Sequence, residues 1–202
     1  QVLGLAGRAD LIVLPETFLS GFSNEAIGDA ETMEGAGIRW MLDLARETGA
    51  VLTGSLIVRA GSRVHNRLVW ARPDGTLAHY DKRHLFRMAG EHARYAGGSE
   101  RLIVEIHGWR VCPLVCYDLR FPVYSRNCFD ATAQRLDYDL LLYVANWPSP
   151  RRHAWRTLLR ARAIENLAYC VGVNRVGVDG NQLHYAGDSV ALDFLGEAIV
   201  EL

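Results

Sequence analysis

The chain has 202 residues, of which 50% are hydrophobic and 22% charged, and its 22 basic and 23 acidic residues give a formal net charge of -1. This length and apolar content suffice for one large core, so we expect a single domain over residues 1–202. The balanced charge lacks the basic excess of a nucleic-acid-binding protein. No apolar run reaches the ~18 residues that span a bilayer. We therefore expect neither nucleic acid nor membrane as a partner.

In the first half of the chain, apolar runs alternate with turn signals, a pattern typical of strands. The predicted elements are a buried strand in "LIVLPE" (11–16), a helix over 31–49 that ends at Gly49, a strand over 50–60, a hairpin over 65–82 around Asp74-Gly75, and a second pair of strands over 101–118 that turns at His107-Gly108.

In the second half, longer apolar runs and one strongly periodic segment predict further strands and a helix. The predicted elements are a helical segment from Val123 to Phe129, a long loop over 129–137, an apolar strand over 138–148, a helix over 150–168, a strand over 169–178, and a hairpin over 184–202 through Leu195-Gly196. Hairpins mixed with strand–helix alternation favour an α/β layered fold with a mixed sheet covered by helices.

The four cysteines, Cys112, Cys116, Cys128 and Cys170, form no C-x-x-C pair and lie in or beside apolar stretches. This pattern favours reduced thiols in a cytosolic protein. The histidines are scattered and show no zinc-finger or zinc-ribbon spacing. We therefore expect a cytoplasmic protein with no metal and no cofactor.

Three strand-like runs end in chemically capable side chains: Glu16, Lys82 and Cys116. Reactive groups in layered α/β folds tend to lie at the carboxyl ends of strands. An ammonium group lowers the pKa of a nearby thiol and can face an oxyanion. A desolvated carboxylate can accept the thiol proton and return it to a leaving amine. Together these groups suit attack on an amide without a metal.

Each residue also has a structural interpretation. Glu16 fits a solvated strand end, and Lys82 fits a surface position or an ion pair with Asp81. Cys116 fits a small core residue, and Glu91 fits a loop charge. None of these residues indicates a site by itself, so the prediction depends on the joint pattern.

The segments "LIVLPETFLSGF", "YDKRHLFRMAGEHARYAGG" and "PLVCYDLRFPVYSRN" resemble, in this order, the nitrilase (carbon–nitrogen hydrolase) superfamily, most of all its omega-amidase branch. The similarity continues through "LLLYVANWP" and "YAGDS" and so covers nearly the whole chain. It implies a four-layer α-β-β-α sandwich that assembles as a homodimer or higher homo-oligomer. Against that pattern, the first strand and most of the first helix are expected to be missing before Gln1, and strands or a tail after Leu202.

The resemblance also implies roles for individual residues. Cys116 would be the nucleophile, and Glu16 the general base and then the acid that protonates departing ammonia. Lys82 would stabilise the tetrahedral intermediate, with the backbone N–H of Tyr117 as its oxyanion partner. Glu91 would help to position the substrate and the hydrolytic water.

The omega-amidase likeness implies a small-molecule amide substrate, such as 2-oxoglutaramate or 2-oxosuccinamate, cleaved through a thioester to a carboxylate and ammonia. Arg120 is our candidate for binding the far carboxylate, although a salt bridge with Asp118 explains it equally well. Asn146 and Trp147 end the next strand and are expected to wall the pocket, and Trp147 also fits a core position.

Two other functions remain open at this point. An isochorismatase-like cysteine hydrolase also combines an acid, a lysine and a cysteine, but it uses an aspartate near its first strand and a single parallel sheet. The other function is that of a nitrilase-like fold retained as a non-catalytic binding subunit. The complete set of Glu16, Lys82, Glu91 and Cys116 argues against a mere binding role.

Overall fold

A computed structural model describes residues 1–23 and 25–202 of the chain. The described residues form two units, Gln1–Glu100 and Arg101–Leu202. This division does not test the expected single domain over residues 1–202, which stays a prediction.

Among residues 1–23 and 25–100, the first unit has four strands: β1 (Leu11–Val13), β2 (Val51–Ala60), β3 (Arg63–Ala71) and β4 (Leu77–Asp81). They form one sheet in the order β1-β2-β3-β4. β1 pairs in parallel with β2, whereas β2–β3 and β3–β4 are antiparallel. The predicted turn at Asp74-Gly75 is confirmed, since Gly75 N–H donates to the carbonyl of Arg72 between β3 and β4.

Helix α1 (Ala36–Thr48) covers one face of this sheet. Its buried residues, among them Ile38 and Met41, pack into one apolar cluster with residues of β1, β2 and β3. The helix ends, as predicted, at Gly49, whose φ of 69° terminates a helix without steric cost. The predicted start at residue 31 is wrong because Glu31 pairs with β2 instead, and its carboxylate accepts the N–H of Gly37.

The second unit is built mainly from strands. Their bounds are β5 (Val104–Ile106), β6 (Trp109–Val115), β7 (Phe129–Asp130), β8 (Arg135–Leu136), β9 (Leu140–Ala145), β10 (Tyr169–Asn174), β11 (Val176–Val178), β12 (His184–Ala186), β13 (Val190–Leu192) and β14 (Ala198–Glu201). Six of them form a sheet in the order β14-β13-β10-β9-β6-β5, in which β6, β9 and β10 run parallel. β7–β8 and β11–β12 are separate antiparallel pairs.

Two helices complete the second unit: α2 (Pro122–Ser125) and α3 (Arg152–Asn166). The described 3-10 helices of the chain are Val2–Leu5, Glu25–Asp29, Arg87–Ala89, Glu91–Ala93, Cys116–Arg120 and Ser149–Arg151. In the described part of the chain, no helix has the length and apolarity that a membrane crossing requires. The mixed sheets confirm the predicted α/β class, and the count of four layers stays a prediction.

Three predicted elements of the second half need correction. The helix predicted over Val123–Phe129 is only the single turn of α2, because Asn127 is held by tertiary hydrogen bonds to Asn166 and Tyr138. The predicted loop over 129–137 contains the β7–β8 hairpin. The strand predicted over 169–178 breaks at Arg175, because β11 leaves the large sheet to pair with β12.

The contact between α3 and β10 leads to a stability prediction. A Cβ added at Gly172 would lie 2.5 Å from Leu159 Cδ1 and 2.8 Å from Trp155 Cζ2, so Gly172→Ala forces this packed interface apart. We expect the free energy of unfolding in denaturant to fall by about 1–3 kcal/mol. Gly180→Ala is the matched control, because nothing lies within 4 Å of its added Cβ. Equal effects of the two substitutions would contradict this account.

Candidate functional site

Three buried charged side chains meet in the first unit. The Nζ of Lys82 donates to Glu16 Oε1 at 2.9 Å and to the two carboxylate oxygens of Glu91 at 3.1 and 3.0 Å. Each of the three residues is at most 1% exposed. The sequence predicted these residues from strand ends and family resemblance, and the structure places their side chains in direct contact. We call Glu16, Lys82 and Glu91 the charged trio.

The structural interpretations of these three residues are wrong. Glu16 and Glu91 are buried rather than solvated. Asp81, the partner that the sequence offered for Lys82, forms a two-pronged ion pair with Arg67 at 2.7 and 2.8 Å. Burying an ammonium between two carboxylates needs well-formed hydrogen bonds to offset the desolvation, so this is a specific arrangement.

The backbone around Glu16 is fixed by β2. The chain leaves β1 and turns, with Thr17 in the left-handed region at a φ of 40°. The backbone N–H of Thr17 donates to Ser55 Oγ at 2.8 Å, and that of Phe18 donates to the carbonyl of Ser55 at 3.1 Å. These bonds hold a conformation that a β-branched residue rarely adopts, and they direct Glu16 into the protein.

The other two members of the charged trio are held by loops. Lys82 directly follows β4, where its N–H donates to the carbonyl of Asn66 and its carbonyl accepts the N–H of Gly98, both at 3.0 Å. Glu91 opens a 3-10 helix, and its Oε2 accepts the N–H of Phe86 at 2.6 Å. Each charged group is therefore anchored through its own backbone or through a neighbouring one.

Asn66 on β3 is a part of this cluster that the sequence did not predict. Its Nδ2 donates to Glu16 Oε1 at 2.8 Å and to Glu91 Oε1 at 3.3 Å. The only signal in "RVHNRLVWA" is an amide between His65 and Arg67, in the polar half of a strand that ends in an apolar run. Read alone, however, that asparagine fits many strand positions.

The charged trio creates a negative environment. Burial, together with the charges of Glu91 and Glu16, raises the pKa of Tyr95 to about 12, and the positive charge of Lys82 offsets only a part of this effect. Two carboxylates beside one ammonium therefore act on their surroundings as a net negative group.

In the second unit, Cys116 follows the last residue of β6 and begins the 3-10 helix Cys116–Arg120. It is a non-glycine residue with a φ of 46°, which is a strained backbone conformation. The turn is secured by Asp118, whose Oδ2 accepts the N–H of Val115 at 3.1 Å. It is secured again by Arg162 of α3, whose guanidinium donates to the carbonyl of Leu119 at 2.6 Å.

The structure separates Cys116 from the other cysteines. Cys112 and Cys170 are fully buried, and burial raises the pKa of both thiols, to about 12 for Cys112. Such thiols are inert packing residues. Cys128 is exposed, whereas Cys116 is half-buried at a strand end. No disulfide joins cysteines within residues 1–23 and 25–202.

The predicted wall residues lie at the same sheet edge as Cys116. Asn146 and Trp147 directly follow β9, and β9 runs parallel to β6 with Val144 opposite Val115. Both are buried, as the core interpretation of Trp147 also requires. The guanidinium of the exposed Arg120 lies over the Trp147 ring, 4.9 Å from its centroid.

Two further features frame this edge. Tyr117 is half-buried, and its ring contacts Phe121 edge-on with centroids 5.3 Å apart. Asn174, which the sequence did not suggest, accepts the N–H of Trp147 at 2.8 Å and donates to the carbonyls of Trp147 and Gly187 at 3.0 and 2.8 Å. This amide fixes the backbone that carries the indole.

The predicted site residues thus form two groups. The charged trio belongs to the first unit, whereas Cys116, Tyr117, Arg120, Asn146 and Trp147 belong to the second unit. The meeting of the thiol with the charged trio, and the catalytic and binding roles of all eight residues, stay predictions. Among the described residues, no group of three or more His, Cys, Asp or Glu side chains is placed to hold a metal ion.

Comparison with known proteins gives one family. The model of the carbon-nitrogen hydrolase family matches residues 4–202. Omega-amidase YafV of Escherichia coli strain K12 is 52% identical over 199 residues, which cover 98% of this chain and 74% of that protein.

Two solved structures have a similar fold. XC1258 from Xanthomonas campestris, a CN-hydrolase superfamily protein with an arsenic adduct in its active site, is 61% identical with a TM-score of 0.98, covering 100% of this chain and 76% of that one. A variant of the amidase from Nesterenkonia sp. AN1, in which acrylamide has added to the active-site cysteine, is 25% identical with a TM-score of 0.85, covering 100% and 79%.

The raised pKa of Tyr95 gives a test of the charged trio. The phenol should ionise near pH 12, so ultraviolet titration should show a tyrosinate step there that Tyr95→Phe removes. The folded-state pKa lies above the ordinary value of 10.0, and the folded state therefore holds the proton more tightly. This contribution to stability is complete below about pH 10 and is lost as the pH rises towards 12. Ionisation of Tyr95 near pH 10 would contradict a buried phenol beside the charged trio.

Proposed function

We propose, on the premise that the chain belongs to the carbon-nitrogen hydrolase family, that it is a cysteine-dependent hydrolase of small omega-amides. The observation that carries the proposal is the buried contact of Lys82 with two carboxylates, since this cluster supplies both a base and a cation. The thiol would come from Cys116, the half-buried cysteine on a strained turn.

In the first half-reaction, Glu16 accepts the thiol proton while the sulfur of Cys116 attacks the amide carbon. The carbonyl oxygen takes up the electron pair, and Lys82 and the backbone N–H of Tyr117 stabilise that oxyanion. When the intermediate collapses, the C–N bond breaks and Glu16 gives its proton to the nitrogen. Ammonia leaves, and a thioester remains on Cys116.

In the second half-reaction, water attacks the thioester. Glu16 accepts a proton from the water, and Glu91 positions the water and the acyl group. Collapse of this second intermediate breaks the C–S bond and releases the carboxylic acid, and Glu16 returns its proton to the sulfur, which restores the thiol. The step needs no metal, because the carbonyl is polarised by fixed positive groups.

A short dicarboxylate monoamide, such as 2-oxoglutaramate or 2-oxosuccinamate, is the substrate we propose. The support is the likeness to a protein named omega-amidase together with the exposed Arg120. The guanidinium of Arg120 lies over the Trp147 ring, and a guanidinium that contacts an aromatic ring can also donate N–H groups to a carboxylate. Asn146 and Trp147 would wall the pocket.

Of the alternatives, the isochorismatase-like hydrolase is wrong, because the family match and the two mixed sheets assign a different fold. A non-catalytic binding subunit remains a competing proposal, which turnover decides. Assembly as a homodimer or higher oligomer, a cytoplasmic location, and the absence of nucleic-acid and membrane partners stay predictions.

The nucleophile is tested with a matched pair of cysteine variants. Cys116→Ser should lose ammonia release from 2-oxosuccinamate down to the background of the assay, because a hydroxyl is a far weaker nucleophile than a thiolate. Cys128→Ser removes an exposed thiol and should keep wild-type turnover. Near wild-type activity of Cys116→Ser would disprove the assignment, and an inactive, folded wild type on a panel of amides would favour the binding subunit.

The role of Arg120 is tested by a charge comparison between two substrates. Arg120→Met should raise KM for the omega-amide about 10- to 100-fold, since a hydrogen bond to a charged group is typically worth about 1.5–3 kcal/mol. KM for a neutral amide of the same length, without the far carboxylate, should not change. Equal changes for both substrates would show that Arg120 supports the Trp147 wall rather than the carboxylate.

A further inference from the structure

The side chain of Asn66 contacts both carboxylates of the charged trio, and its backbone contacts the third member. Nδ2 lies 2.8 Å from Glu16 Oε1 and 3.3 Å from Glu91 Oε1. The carbonyl of Asn66 accepts the N–H of Lys82 at 3.0 Å. One residue of β3 thus joins the turn after β1, the residue after β4 and the 3-10 helix that begins at Glu91.

The amide of Asn66 can have only one orientation. Exchanging its oxygen and nitrogen would bring Oδ1 against two carboxylate oxygens, which repel it. In the observed orientation Oδ1 is buried, and it has no hydrogen-bond partner within the described residues. A buried acceptor without a partner destabilises a protein. The observed orientation therefore uses the donor side of the amide, which faces both carboxylates.

The donor is neutral, and this matters for the charge of the cluster. Two carboxylates close together disfavour each other's ionised forms, and the single Lys82 offsets one charge. A second cation would remove the net negative charge and make Glu16 a poorer base. An amide N–H stabilises the ionised carboxylates without changing the charge.

We propose that Asn66 is a positioning residue whose side-chain N–H stabilises the carboxylates of Glu16 and Glu91 and orients them around Lys82. This inference rests on the proposed function, because a general base must be unprotonated when the thiol gives up its proton. Asn66 and Lys82 both donate to Oε1 of Glu16. These two bonds orient the carboxylate and hence place its second oxygen.

The test replaces the donor while keeping the size of the side chain. Asn66→Leu fills the space without a hydrogen bond, and Asn66→Asp keeps the shape but adds a third carboxylate. At neutral pH, kcat/KM for 2-oxosuccinamate should fall about 10- to 100-fold in Asn66→Leu. A carboxylate that loses a hydrogen-bond donor is a less stable anion, so the acid limb of the kcat/KM profile should move to higher pH, and further in Asn66→Asp than in Asn66→Leu. Lys82 and Tyr95, which act electrostatically on these carboxylates, and Cys116, the proposed proton donor to Glu16, are unchanged in all variants.

A second measurement needs no substrate. The hydrogen bonds of Asn66 stabilise the ionised carboxylates, so the loss of unfolding free energy in both variants should be larger at neutral pH than at acidic pH. Thr53→Val is the matched control. It removes a buried hydrogen bond to the carbonyl of Val69 in the same sheet, and its stability loss should not depend on pH.

The two measurements keep the two proposals apart. If the wild type releases no ammonia from any amide, the proposed function fails, and the pH dependence of stability still decides the role of Asn66. An unmoved acid limb together with a stability loss that is equal at both pH values would show that Asn66 only fills space, and would overturn the inference.

Discussion

The fold of the first unit is organised around one buried ammonium that faces two buried carboxylates. If Lys82 moved away from Glu16 and Glu91, three buried charges would lose their partners. The free-energy cost of an unpaired buried charge is far larger than the free energy that a single surface ion pair contributes. Neighbouring residues accordingly donate hydrogen bonds to this cluster: Phe86 through its backbone N–H and Asn66 through its side-chain N–H. The hydrogen bonds that would hold these groups in place for the proposed chemistry are therefore the same ones that offset the desolvation of the three charges.

Backbone strain accompanies the proposed reactive groups in both units. Thr17, next to Glu16, and Cys116 itself both have positive φ values, of 40° and 46°. Such conformations typically cost on the order of 1–3 kcal/mol each and persist only where the surroundings over-determine them. Ser55 fixes the first turn, and Asp118 fixes the second through the N–H of Val115. Thr17 lies shortly after the end of β1, and Cys116 directly follows β6. At both places the backbone turns sharply, so a side chain can point away from the sheet.

The sequence predicted what depends on local pattern. Apolar runs and the Asp74-Gly75 turn located the strands of the first unit, and strand-end chemistry together with family resemblance selected the charged trio. The predictions failed where distant contacts decide: Asn127 ends α2 after one turn because it binds Asn166 and Tyr138. The roles of Asn66 and Asn174 were not predicted from the sequence for the same reason. An amide in a strand gives no sign of which distant carboxylate or carbonyl it will meet.

The groups proposed for chemistry and for substrate choice differ in how they are held. Glu16, Lys82 and Glu91 are buried and multiply bonded, so a change at any of them disturbs its partners. Arg120 is exposed and lies over the face of Trp147, while the backbone of that tryptophan is clamped by Asn174. A substitution at Arg120 therefore leaves the clamp intact. On the proposed function, a single substitution at Arg120 would therefore change which acyl group is accepted, whereas the bond that is cleaved would depend on the charged trio, which tolerates few substitutions.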